Sequence, residues 1–195
     1  MFELHAASVL LQWATGGLFF CWVTTRRREV GIGYGWTLRI SYGLMAALAL
    51  FLGLRFGVRP VREAASAGVV VATAVALGQS WKRRTVGVSG QRELAEARSE
   101  RVATMTGIDT VARSKATEGG AEFDPRLDLV APVIGFVGLV AAGIAAGEPA
   151  WLSVARYLIG ALFLGAVSDG MLLGHWYLVQ PGLSRGPLRE LVVWT

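Results

Sequence analysis

Residues 156–179 read RYLIGALFLGAVSDGMLLGHWYLV, an apolar run with one carboxylate, Asp169, near its middle. A hydrocarbon core of about 30 Å is crossed by about 20 helical residues at 1.5 Å each, so this run is long enough to span a membrane. A carboxylate at the bilayer centre costs roughly 2.5–3.5 kcal/mol on insertion scales, and a chain that keeps one there pairs it or uses it.

Four further runs, 4–24, 36–56, 64–81 and 129–147, meet the same length criterion. They predict an all-α integral membrane protein, with residues 1–195 as one polytopic domain. Its core is a bundle of five transmembrane helices, and the loop 85–128 lies outside the bilayer. Composition agrees, because 53% hydrophobic residues, 17% charged residues and 25 glycines do not describe a soluble domain. The formal net charge is +5, yet the basic residues flank the apolar runs rather than forming a stripe on a soluble unit. The lipid bilayer is therefore the expected partner, and nucleic acid is not.

Charges also set an expected orientation. Arg26, Arg27 and Arg28 follow the first run, and Lys82, Arg83 and Arg84 follow the third. The positive-inside rule puts both clusters in the cytosol, which gives a multi-pass protein of the cell membrane with its N-terminus outside and its C-terminus cytosolic. Arg55, Arg59 and Arg62 fall on the outer side and run against the rule. Trp22, Trp36, Trp81, Trp151 and Trp176 lie near expected interfaces and read as anchors, while Trp13 is in mid-span. The N-terminus has no basic region ahead of its apolar run, so the first span is expected to be retained.

The loop 85–128 carries six basic and eight acidic residues. Its first half is rich in helix formers behind Ser89, a suitable N-cap, and Leu94, Ala97, Val102 and Met105 make the thin apolar stripe of a short amphipathic helix. Residues 107–123, with Gly119 and Gly120, read as a flexible connector. GIGYG at 31–35 lacks the preceding strand and the spacing of a phosphate-binding turn and reads as a flexible turn. Residues 188–195, LRELVVWT, begin another apolar run, as a shortened version of a protein with a sixth span would.

One cysteine, Cys21, and two histidines show none of the spacings of a metal site, and no catalytic residue is assigned. The cofactor is unknown and haem stays open, although Met171 and His175 share one helix face and His5 lies at the opposite end from His175, so neither pairing brackets a haem.

Depth bookkeeping supplies candidate polar partners. With each run's midpoint at the bilayer centre, Asp169 is level with Gln12, Thr15 and Thr73. His175, about 9 Å nearer the cytosol, is level with Cys21, Ser41 or Tyr42, and Gln79. Ala166, Gly170 and Gly174 form a small-residue stripe that invites close approach of a neighbouring backbone, and Gly138, Ala142 and Ala146 match it on the fourth run. The last two runs are thus expected to pack as a hairpin around the GEPAW turn at 147–151. Three functions compete. The first is a non-catalytic membrane subunit or scaffold that packs against partner membrane proteins, or against itself as a homo-oligomer, through glycine-rich faces. The second is a small proton-coupled transporter using Asp169 and His175. The third is a haem-binding or lipid-modifying membrane enzyme.

Overall fold

The computed structural model describes residues 6–86, 88–106, 121–146, 149–180 and 184–194, and of Gln91 and Leu94 the backbone alone. His5, the start of the first run at Leu4, the glycines at 107, 119 and 120, Gly147 and Glu148 of the GEPAW turn, and the side chain of Leu94 lie outside what is described. The described residues are all-helical: α1 (Ala6–Thr25), α2 (Ile32–Phe56), α3 (Pro60–Lys82), α4 (Ser89–Thr106), a 3-10 turn (Pro125–Leu129), α5 (Val130–Ala145), α6 (Ala150–Val179) and α7 (Gly186–Trp194). Five helices are long and apolar enough to cross a membrane: α1, α2, α3, the 3-10 turn continued by α5, and α6.

α1 is the hub. It packs against α2, α5, α6 and α7, while α2 packs on α3, α3 on α5 and α5 on α6, so four helices wrap around it. In the most apolar stretch of α1, 61% of the residues are buried, against 11% in α6. A helix that is apolar all round belongs in the centre, and one with a single buried stripe belongs at the rim. The stripe on α2 is Tyr34, Leu38, Tyr42, Ala46, Ala49 and Gly53, at three- and four-residue spacing.

Two helices begin earlier than the charges implied. α6 starts at Ala150, just after Pro149, and runs for 30 residues through Arg156, which lies on its exposed side. A long arginine on the rim does not end a helix, because its stem lies along apolar surface and its head reaches water. α2 likewise starts at Ile32, inside the GIGYG stretch expected to be a turn, because the buried stripe already includes Tyr34. The reversal lies just before it, where Arg28 takes a left-handed φ of 58°. α4 begins at Ser89 as expected, yet Val102 and Met105 are exposed rather than laid against the bundle.

α7 runs back along α1. A Cβ on Gly186 would meet the Glu29 carboxylate, Glu190 is bonded by both Arg26 and Arg27, and Trp194 packs edge-on against Phe19 and Trp22. The last apolar residues thus fold up beside the bundle.

Candidate functional site

The interior polar residues form three groups at three heights. The middle group joins α1, α2 and α6. Tyr42 projects from the buried stripe of α2, and its ring lies across Gly17, where a Cβ would overlap the ring atoms. Gly17 is therefore what lets the ring pass α1. The Tyr42 hydroxyl donates to Asp169 Oδ1 and lies 2.9 Å from Ser168 Oγ. Ser168 Oγ accepts from Trp13 Nε1 at 3.1 Å and is 2.6 Å from the Leu164 carbonyl one turn back. Side chains from three helices thus join in one hydrogen-bonded chain, Trp13 to Ser168 to Tyr42, and among the described residues Tyr42 alone bonds the buried carboxyl group. Asp169 is fully buried, and its Oδ2 has no hydrogen-bond partner among the described residues.

α6 reaches this position through a backbone-to-backbone contact. A Cβ on Gly16 would land on the Ala161 carbonyl, and one on Gly165 would land on the Gly16 backbone. Asp169 lies four residues beyond Gly165, so the close approach of α1 and α6 delivers the carboxyl group to the bundle interior.

The partners expected from depth differ from those observed. Gln12 donates to the Tyr157 carbonyl at 3.3 Å, Thr15 lies against Gly135, and Thr73 lies against Gly43. None of the three bonds Asp169 among the described residues, and Tyr42, placed a layer lower by sequence, does. α6 and α2 both start earlier than their apolar runs, which moves both midpoints, so depth alone does not pick the partner. The Tyr42 side chain reaches Asp169 because its ring crosses α1 at Gly17. His175 is exposed on α6 and Asp169 is buried, so the two are not brought together. Gln79 is half-buried near the end of α3. The α5–α6 hairpin forms, and Gly143 lies tight against the Val154 backbone, where a Cβ would not fit. Gly138 faces Ala65 and Leu11, Ala142 is buried, Ala166 packs with Phe20, Val23 and Leu191, Gly170 faces Leu191 of α7, and Gly174 faces open space.

The second group closes the end of the bundle that carries Arg26–28 and Lys82–Arg84, called here the basic end. Arg39, near the start of α2, is buried rather than reaching out along the helix to the surface, and forms a two-pronged ion pair with Asp128, Nε to Oδ1 at 2.7 Å and an Nη to Oδ2 at 2.6 Å. The Phe123 ring covers the guanidinium at 4.5 Å, and Ser80, which accepts from Trp36 Nε1 at 2.9 Å, flanks it. The planar fork of arginine matches a carboxylate on both prongs, which makes a buried position tolerable. The third group sits at the opposite end: Arg62 is buried against Glu63 at 2.5 Å, the Gly57 carbonyl at 2.7 Å and Ser8 at 3.3 Å. One of the arginines that ran against the charge rule is thus neutralised by its neighbour.

No family model, curated protein or solved structure matches this chain. Among the described residues no cluster of three His, Cys, Asp or Glu side chains has the arrangement of a metal site.

Proposed function

We propose that the chain is a non-catalytic membrane subunit that crosses the cell membrane five times with its basic end in the cytosol. In this reading the outward side of α6 packs against a span of another membrane protein. The observation that carries it is a stripe on α6 formed by Phe163, Val167, Met171, Gly174 and Leu178, spaced four, four, three and four residues apart and all exposed. That is the spacing at which one helix seats another. Gly174 leaves open space in the stripe, and His175 stands exposed beside it. Lipid needs neither a glycine gap nor an imidazole, whereas a neighbouring helix fills the first and bonds the second. The arginine and lysine clusters at the basic end support the orientation.

Extraction from native membranes in mild detergent, followed by native electrophoresis, tests the proposal. The wild-type chain is expected to run in a complex with a second protein. The double variant Gly174→Leu, His175→Leu is expected to fold normally and lose that protein. A wild-type chain migrating alone would overturn the reading, and one migrating as a homo-oligomer would replace the partner with a second copy.

A proton-coupled carrier draws support from a different observation, the buried Asp169 Oδ2, which has no hydrogen-bond partner among the described residues. Asp169→Asn, which cannot exchange a proton near neutral pH, would then fold and assemble but abolish pH-dependent transport. A Soret band in the purified protein would shift the assignment to a haem protein.

A further inference from the structure

At the basic end a short strap, residues 121–128, lies across the mouth of the bundle. Its Glu122 carboxylate is held by guanidinium groups from two different elements, Arg28 at 3.1 Å from the turn after α1, and Arg92 from α4. Arg83, at the end of α3, donates to the Glu122 carbonyl. Three cations from three parts of the chain therefore converge on one anionic residue, leaving a positive excess. Arg28 and Arg92 remain about a third exposed, whereas the Glu122 side chain is 12% exposed. Arg28 reaches this position with the left-handed φ noted above, the only such non-glycine residue among those described. Backbone strain of this kind persists where the surroundings over-determine it, and it concentrates at ligand clamps.

Beneath the strap lies a cavity of about 30 Å³, lined by Arg28, Arg39, Ser80, Glu122 and Phe123 among others. It is about the volume of one water molecule. Guanidinium groups bind phosphate with the same forked geometry that they use for carboxylate, and phosphate offers more acceptor oxygens and more charge.

We propose that Arg28, Arg83 and Arg92 form a binding site for a phosphate group, and that Glu122 is its built-in competitor, holding the strap over the mouth until a phosphate displaces it. The phosphate is either the headgroup of an anionic lipid or a free anion. Both carry the same chemistry, and the basic end is where either would meet the protein.

The test uses the full chain in detergent at constant ionic strength. Inorganic phosphate is titrated by calorimetry, and phosphatidylglycerol against phosphatidylcholine is titrated by native mass spectrometry. Glu122→Gln removes the competing charge and should tighten binding of one of these two phosphate probes about tenfold, the scale of one charge-assisted hydrogen bond. Glu122→Ala serves equally if the glutamine variant fails to fold. A gain with phosphatidylglycerol alone identifies a lipid headgroup, and a gain with inorganic phosphate identifies a free anion. Adding Arg28→Gln and Arg92→Gln to Glu122→Gln should cancel the gain. Unchanged affinity for both probes would overturn the proposal, as would a gain that survives loss of the two arginines.

Discussion

Gly165→Ala is the most demanding perturbation of this fold, because it adds one methyl group where two backbones already touch. A Cβ at position 165 would sit 2.7 Å from the Gly17 amide nitrogen and nearer still to the Gly16 carbonyl. Ordinary contact for such an atom begins at 3.4 Å, so at the nitrogen alone the helices must separate by 3.4 − 2.7 = 0.7 Å. Neither backbone can rotate aside as a side chain would. Overpacking of this kind costs about 1–3 kcal/mol, and the rigid contact argues for about 3. At about 2–4 °C per kcal/mol for a chain of this size, the melting temperature in detergent should fall by about 6–12 °C. Separation of α1 from α6 also draws Asp169 away from Tyr42. Gly174→Ala is the matched control: its Cβ meets nothing, and alanine favours a helix over glycine by about 1 kcal/mol, so its melting temperature should hold or rise. Differential scanning fluorimetry of the two purified variants reads both. Equal melting temperatures for Gly165→Ala and Gly174→Ala would refute the reasoning that α1 and α6 meet backbone to backbone.

Removing the Tyr42 hydroxyl with Tyr42→Phe should cost about 1–3 kcal/mol in detergent unfolding, since it leaves the buried carboxyl without its donor. Asp169→Asn keeps an acceptor and should cost less. Arg39→Gln or Asp128→Asn alone should each cost about 3–5 kcal/mol by stranding a buried charge, while the paired change Arg39→Met, Asp128→Leu should be milder than either, and a double-mutant cycle on melting temperature checks this. Membrane-impermeant thiol labelling of Ser89→Cys and Ala146→Cys in intact cells should modify only the second, with buried Cys21 silent; modification of the first alone would invert the topology. Gly170→Leu should loosen α7, whose Leu191 lies 3.3 Å from the added Cβ, and leave the α5–α6 hairpin in place, as proteolysis of the C-terminal segment would report.

The five apolar helices were legible because length and hydropathy along one chain carry the information, and Ser89 marked the start of α4 in the same way. Helix starts were less so: a charge such as Arg156 reads as a boundary in sequence but can lie on the rim of a continuing helix. The buried carboxyl was found at once, since Asp169 is chemically out of place in its run. Its partner was missed because depth matching takes each helix midpoint as a common plane and ignores the reach of a long side chain, and the early starts of α6 and α2 moved both midpoints. Trp13, the tryptophan in mid-span rather than at an interface, was the signal that something polar lay opposite, and Ser168 is what it meets. Arg39 and Asp128 lie near the ends of two apolar runs, where charges are ordinary. Only the fold, which brings the 3-10 turn at 125–129 within reach of the Arg39 side chain on α2, shows that they neutralise one another. The small-residue stripe at 166, 170 and 174 was visible as a pattern, but spacing alone does not say which neighbour a face meets: α7 covers part of it, and the backbone contact runs through Gly165 instead.

The subunit reading stands on the outward side of α6, and site-specific photo-crosslinking in native membranes tests it most directly. A photoreactive residue at Met171, exposed on the α6 stripe, is compared with one at Val137, exposed on α5. The account predicts a discrete protein adduct from position 171 that is lost in the Gly174→Leu, His175→Leu background, with lipid adducts alone from position 137. Lipid adducts alone from both positions would contradict it.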